Sequence, residues 1–238
     1  MKKASDLNIK IFADGAEKSG MLEMYKNPII SGFTTNPTLM YKAGIRDYKA
    51  FAHEIIQAIP DKSISFEVFA DDFGEMERQA LEIHSWGKNV YVKIPVTNTK
   101  SDPCYDLIRR LSNQGVQLNV TAIFTLEQVR EVTYALEKGP PSIISVFAGR
   151  IADTGMDPVP LMQAALEIMK LAPQAELLWA SPRELINIFQ AEAIGCHILT
   201  ATNSLIEKLD LVGKDLSEYS LETVQMFYKD ASSAGFQL

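Results

Sequence analysis

Val90-Tyr91-Val92-Lys93-Ile94-Pro95 is a β-branched and aromatic run interrupted by a single lysine, and its reading decides the fold. Successive strand residues point to opposite sides, so Tyr91 and Lys93 share one face and Val90, Val92 and Ile94 the other. A strand this apolar belongs in a parallel sheet covered on both faces. Seven more runs of the kind follow or precede it: Ile9–Ala13, Ile29–Phe33, Ile64–Phe69, Gln117–Ile123, Ile143–Phe147, Leu177–Ala180 and His197–Ala201. The segments between them carry helical periodicity. After the third run, Met76, Ala80, Leu81, Ile83 and His84 stand against Glu75, Glu77, Arg78 and Glu82.

Eight strand–helix units in series predict an α/β fold of the (β/α)8 barrel type. The rival is a doubly wound open sheet, which usually places a glycine-rich turn after its first strand. Here that turn reads Phe12-Ala13-Asp14-Gly15-Ala16, and neither GxGxxG nor a Walker A sequence occurs. No stretch has the composition of an interdomain linker, so residues 1–238 are read as a single barrel domain. Asn203–Leu209 is the expected last barrel helix. After the loop Val212–Lys214, residues 216–238 form an expected C-terminal arm whose helix, Leu216–Ala234, sets Leu221, Val224, Phe227 and Tyr228 on one face. A closed barrel does not require this helix, which either packs back on its own barrel or docks on a neighbouring subunit.

The 238 residues are 47% hydrophobic and 22% charged, which excludes disordered, collagen-like and coiled-coil chains. With 23 Lys+Arg against 30 Asp+Glu the net charge is -7, so nucleic acid and anionic membranes are not expected partners, and any anionic ligand needs a local pocket. No apolar run reaches the roughly 18 residues of a membrane span, and residues 1–15 lack the apolar core of a signal peptide. Cys104 and Cys196 have no CxxC or Cys/His metal spacing and read as packing residues of a cytoplasmic protein. His53, His84 and His197 share no spacing either, so no metal is expected.

In such a barrel the reactive groups end the strands at the C-terminal face. Asp14 ends the first run, Thr34-Thr35-Asn36 the second; Glu67 lies in the third, Lys93 in the fourth, Asn119 and Thr121 in the fifth and Ser145 in the sixth. The sixth leads on to Arg150, the seventh to Ser181 and Arg183. Lys93 falls on the interior face, where lysine is seldom found unpaired. Burial disfavours an ammonium ion and frees the amine for Schiff-base formation with a ketone or aldehyde. The structural alternatives are a lysine that snorkels to the rim or pairs with Glu67. Glu67 and Asp14 would move the protons of imine chemistry, although Asp14 alone reads equally as the N-cap of the first helix with Glu17 at the capping-box position. Arg150 and Arg183 suit a phosphate, with Ser181 at a helix N-terminus adding N–H donors; surface ion pairs are the alternative.

Five motifs in this order, Thr34-Thr35-Asn36-Pro37-Thr38, Tyr91-Val92-Lys93-Ile94-Pro95, Leu118-Asn119-Val120-Thr121, Ser145-Val146-Phe147-Ala148-Gly149-Arg150-Ile151 and Ala180-Ser181-Pro182-Arg183, resemble the short-chain branch of the transaldolase family of class I aldolases. The resemblance spans about residues 9–210. It implies that Lys93 forms an imine with a ketose donor, that Glu67 and Thr121 hold a catalytic water, and that Asp14 takes the C4-hydroxyl proton. It further implies that Asn36, Asn119 and Ser145 bind the dihydroxyacetone portion, that Arg150, Ser181 and Arg183 bind phosphate, and that Thr35 and Phe147 belong to the same substrate-binding set. The implied reaction moves a dihydroxyacetone unit from fructose 6-phosphate or sedoheptulose 7-phosphate to an aldose phosphate, as in the pentose phosphate pathway, with no cofactor. The final helix would reach a neighbouring subunit in a homo-oligomer of five or ten chains.

Glu67 and Phe147 match transaldolases, where the related fructose-6-phosphate aldolases have glutamine and tyrosine. Gly15 and Pro182 depart from the family pattern. They leave open a sulfonated sugar as substrate; the rival readings are an aldolase that releases free dihydroxyacetone and a catalytically silent barrel that binds sugar phosphates.

Overall fold

Buried parallel strands need helices on their outer face, and the chain supplies one or two after every strand. In the computed structural model, which describes residues 6–237, the order is β1 (Lys10–Asp14), α1 (Lys18–Lys26), β2 (Ile30–Thr34), α2 (Pro37–Lys42), α3 (Tyr48–Ala58), β3 (Ser63–Glu67), α4 (Phe73–His84) and β4 (Val90–Pro95). The series continues with α5 (Tyr105–Asn113), β5 (Leu118–Ile123), α6 (Leu126–Leu136), β6 (Ser142–Val146), α7 (Ala148–Asp153), α8 (Val159–Met169), β7 (Ala175–Trp179), α9 (Ile186–Ala193), β8 (Ile198–Ala201), α10 (Asn203–Ile206) and α11 (Leu216–Ala234). Met1–Ser5, the start of the segment read for a leader, and Leu238 at the end of the arm lie outside the described residues. The strands pair in chain order and in parallel, and β8 closes on β1 to make the expected (β/α)8 barrel.

Period-two alternation divides the strand residues between two cores. Outward residues such as Phe66, Val92, Val120, Val146 and Leu177 pack with Met76, Leu107, Val129 and Met162 of the surrounding helices. Inside, Phe12, Ile143, Leu178, Ala180 and Ile198 form a smaller plug with Tyr91 and Phe147 against it. The interior also holds Ser65, Lys93, Asn119 and Ser145, all buried. A buried polar group left unpaired costs about 1–3 kcal/mol, so these side chains must find one another.

Local details differ from the sequence expectation in instructive places. The third strand stops at Glu67, and Phe69, assigned to that run, is 62% exposed in the loop beyond it. On α4 the buried face includes Gln79, while Leu81 is exposed. Gln79 is drawn inward because its Oε1 accepts the Phe69 and Ala70 N–H groups at 2.9 and 3.1 Å. The last barrel helix divides into α10 and a tighter 3-10 turn over Glu207–Leu211. Burial pushes the Cys104 thiol up to about 11 and Cys196 up to about 12, which keeps both unreactive packing residues.

Helix α11 starts where Asp215 accepts the Ser217 and Glu218 N–H groups, and it ends at Gly235 in the left-handed conformation. None of its residues is buried. It therefore does not pack back on its own barrel.

One glycine fixes the rim of the barrel. A Cβ on Gly149 would lie 1.5 Å from the Ser181 carbonyl oxygen, because the turn into α7 rests directly on the turn after β7; the Gly149 N–H donates to Ala180 O at 3.2 Å. Gly149→Ala is expected to lose about 1–3 kcal/mol of stability, the usual size of an overpacking defect. Urea unfolding checks this, and an unchanged midpoint would show that the two turns are not in contact.

Candidate active site

Parallel pairing aligns paired residues in both position and facing, and the register Glu67↔Lys93 places carboxylate and amine on one rung of β3 and β4. The Lys93 Nζ lies 3.4 Å from Glu67 Oε2 and donates to the Thr35 carbonyl oxygen at 3.1 Å. Lys93 is only 7% exposed. It therefore pairs with Glu67 rather than snorkelling out. A charge-assisted N–H···O bond usually measures about 2.7–2.9 Å, so the Glu67 contact is long and the amine is not locked into it.

Asp14 closes the other side. It is the last residue of β1, its Oδ1 accepts from Thr34 Oγ1 at 2.7 Å, and Thr34 Oγ1 lies 2.6 Å from Thr200 Oγ1. It is not a helix cap, since α1 begins at Lys18 behind Glu17, which itself makes no capping bond. Burial raises the Asp14 pKa, opposed by the attraction of Lys93 and by the Thr34 bond. Burial likewise raises Glu67, with Lys93 opposing it and the Asp14 charge adding to it. Two carboxyl groups that burial raises from their ordinary values are suited to give and take protons.

Beneath the amine runs a buried polar chain. Ser145 Oγ donates to Asn119 Oδ1 at 2.6 Å, and Asn119 Nδ2 donates to Ser65 Oγ at 2.9 Å. Thr121 Oγ1 is buried with no hydrogen-bond partner among the described residues. Asn36 caps α2, its Oδ1 accepting the Leu39 N–H at 2.9 Å, which leaves the amide NH2 to donate toward the mouth.

Asp14, Asn36, Lys93, Thr121, Ser145, Phe147, Arg150 and Ser181 border one cavity of about 130 Å³ at the C-terminal mouth. Arg150 lies over the Phe147 ring, 5.2 Å from its centroid. Ser181 has φ 60°, a left-handed conformation that costs a non-glycine residue about 1–2 kcal/mol and is held by the Gly149 contact. Four expected positions stand off the cavity wall, and of these Glu67 reaches the site through its contact with Lys93. Thr35 is fully buried with Oγ1 tied to Ser65 O at 2.8 Å, and Asn119 lies behind Ser145 rather than on the cavity wall. Arg183 forms a two-pronged ion pair with Asp153 of α7, Nε to Oδ1 at 3.0 Å and Nη2 to Oδ2, both side chains about half exposed.

Ser181 does not head a helix as expected, because α9 begins only at Ile186. The N–H groups of Arg183 and Glu184 are already taken by Asn187 Oδ1 at 2.8 and 3.0 Å. Sequence reasoning named Thr34 at a strand end without giving it a role, and it missed Thr200 on the cavity wall and Ser65 in the polar chain. The signal was present, since each stands at an inward period-two position of an apolar run. Among the described residues no group of three or more His, Cys, Asp and Glu is placed to hold a metal ion, and no helix is long and apolar enough to cross a membrane.

Fold and cavity together define a (β/α)8 barrel with a lysine-bearing polar mouth. Solved structures share the barrel: KGPDC from Streptococcus mutans superposes with a TM-score of 0.56 at 9% identity over 84% of this chain and 90% of that one. A dihydrodipicolinate synthase from Rhodopseudomonas palustris gives 0.51 at 14% over 97% and 81%. At those identities the likeness concerns the fold alone. Sequence goes further. A probable transaldolase of Dehalococcoides mccartyi is 33% identical over 202 residues, covering 84% of this chain and 90% of that protein. A probable transaldolase of Streptococcus agalactiae is 33% identical over 226 residues, covering 94% and 98%. Residues 11–238 match the Transaldolase/Fructose-6-phosphate aldolase family, and the chain belongs to it.

The raised Asp14 pKa has a consequence for stability. Above its folded value the buried carboxylate costs stability in full, and the cost shrinks as pH falls toward the ordinary value of 3.8. Asp14→Asn, which keeps an acceptor for Thr34, is expected to melt higher than wild type at pH 7.5, by a margin that narrows toward pH 3.8. Thermal melts at the two pH values check this; a margin that widened on acidification would reverse the sign assigned to Asp14.

Proposed function

We propose that the protein is a Schiff-base transaldolase acting on sugar phosphates, and that the observation carrying this reading is the buried amine of Lys93 set between two carboxyl groups of raised pKa. A purely structural lysine would complete its hydrogen bonds within the protein. Here, among the described residues, the Thr35 carbonyl accepts at 3.1 Å while Glu67 stays at 3.4 Å, and the amine borders a cavity.

In the proposed sequence the neutral amine adds to C2 of a ketose phosphate. The C2 hydroxyl then departs as water, protonated through a water held by Glu67 and Thr121, and leaves an iminium ion. Asp14 takes the C4-hydroxyl proton as the C3–C4 bond breaks. The electron pair of that bond moves into the iminium to make an enamine, and the aldose phosphate departs. C3 of the enamine attacks the aldehyde carbon of an acceptor aldose phosphate, Asp14 returns its proton to the new hydroxyl, and hydrolysis of the imine frees the amine. Proton transfer of this kind contributes about 10²–10⁴-fold. The NH2 of Asn36 and the Ser145–Asn119 pair suit the hydroxyls of the dihydroxyacetone unit. Thr35 acts through its carbonyl on the amine, and Phe147 supports Arg150. Arg150 and Ser181 hold the phosphate, joined by Arg183 when the substrate displaces Asp153 from its guanidinium. Fructose 6-phosphate or sedoheptulose 7-phosphate as donor, a role in the pentose phosphate pathway and a cytoplasmic location belong to the same proposal.

Assembly is part of it. Leu221, Val224, Phe227 and Tyr228 of α11 are 58 to 77% exposed, and Ile186, Phe189, Leu211 and Val212 help line an apolar groove of about 480 Å³. An exposed stripe and an open groove on one chain suit a closed ring in which each α11 seats on a neighbour. We take the state to be a homo-oligomer, pentamer or decamer.

Borohydride reduction in the presence of fructose 6-phosphate should leave a donor-derived adduct on Lys93, absent in Lys93→Ala. No adduct in wild type, or equal labelling of the variant, would defeat the reading. Products measured with and without erythrose 4-phosphate separate group transfer from release of free dihydroxyacetone. Removal of residues 216–238 should dissociate the oligomer in light scattering, and an unchanged mass would reject the docking role of α11.

A further inference from the structure

In a strand the N–H and C=O of one residue point the same way, toward the same neighbour. Those of Glu67 face the β2 side, since Val68, next along, donates to Lys93 O on β4 at 3.0 Å. But the pairing of β2 with β3 ends at Thr34↔Ser65, followed only by Thr35 N–H to Ser65 O at 3.1 Å, after which Asn36 caps α2 and the chain leaves the sheet. Glu67 would be left with an unpaired backbone edge beside the amine. The Tyr48 hydroxyl fills that gap, accepting the Glu67 N–H at 2.8 Å and donating to the Glu67 C=O at 2.8 Å.

Tyr48 is itself firmly placed. It is the first residue of α3, directly after Asp47, whose side chain accepts the Ala50 N–H at 2.9 Å. Its ring lies 6.4 Å from Phe66, 5.4 Å from Phe69 and 6.1 Å from Trp86. Burial raises its phenol pKa well above the ordinary value, so the donor is retained at any working pH.

We propose that Tyr48 is a positioning residue: its hydroxyl substitutes for the missing strand and holds the Glu67 backbone so that the carboxyl group stays at the Lys93 amine. This rests on the Schiff-base reading above, in which Glu67 moves protons. Tyr48→Phe keeps the ring and removes both bonds. It is expected to lower kcat by about tenfold, roughly the effect of one lost hydrogen bond, with KM for fructose 6-phosphate within about twofold of wild type. In a Glu67→Gln background the same change should alter kcat by less than about twofold, because a residue acting through Glu67 has nothing left to position.

Equal losses in both backgrounds, or an unaltered kcat in Tyr48→Phe, would overturn the proposal. Amide exchange of wild type gives a reading independent of the variants: the Glu67 N–H should be protected to the level of Val68, and free exchange would refute the clamp. The borohydride adduct on Lys93 separates the two failures. Its absence removes the Schiff-base reading, whereas its presence with an indifferent Tyr48→Phe removes only the positioning role.

Discussion

An amine withdrawn from water must be met by oppositely charged or accepting groups, or the fold bears the full cost of burying it. Much at the mouth of this barrel answers that constraint at Lys93. Glu67 stands on the same rung, the Thr35 carbonyl accepts a hydrogen bond from the amine, and Asp14 adds a second carboxyl group from β1. None of the three neutralises the amine completely. The Glu67 contact is long, and both carboxyl groups are pushed by burial toward keeping their protons. The arrangement is less stable than an apolar core of the same volume would be, and that deficit is where proton-transfer chemistry becomes possible.

The barrel supports this cluster by splitting its interior. An apolar plug around Phe12, Leu178 and Ile198 supplies burial free energy, while the chain Ser145–Asn119–Ser65 closes its own hydrogen bonds beside it. Because that chain is internally satisfied, it costs little and leaves Thr121 as the buried hydroxyl with no protein partner among the described residues at the cavity. The rim is set differently, by backbone contact: the missing Cβ of Gly149 lets two turns touch and holds Ser181 in its left-handed conformation.

The inward polar residues of the strands were legible because period-two alternation is a property of the backbone. Once eight apolar runs were seen, Lys93, Asn119 and Ser145 had to face the interior. The same rule would have found Ser65 and Thr200, had every polar residue within a run been followed. Asp14 was ambiguous in one dimension, since an aspartate before a helix caps it as readily as it ends a strand; the start of α1 at Lys18 resolved it. Arg183 was left between phosphate and surface ion pair for a different reason. A long cationic side chain reaches several partners from one backbone position, and Asp153 is brought to it only by the packing of α7.

The amino-acid sequence by itself determined the alternation of strand and helix, the closed parallel barrel and the identity of the buried amine, because these follow from short-range periodicity and from the cost of placing charge in an apolar run. The motifs also determined the family. Only the tertiary structure decided how the groups meet across the barrel: that Glu67 keeps its distance from Lys93, that Tyr48 closes the edge β2 abandons, that Arg183 is held by Asp153, and that α11 lies free of its own barrel. Such pairings depend on strand register and on where each turn leaves the sheet, which residues far apart in the chain fix jointly and no local pattern records.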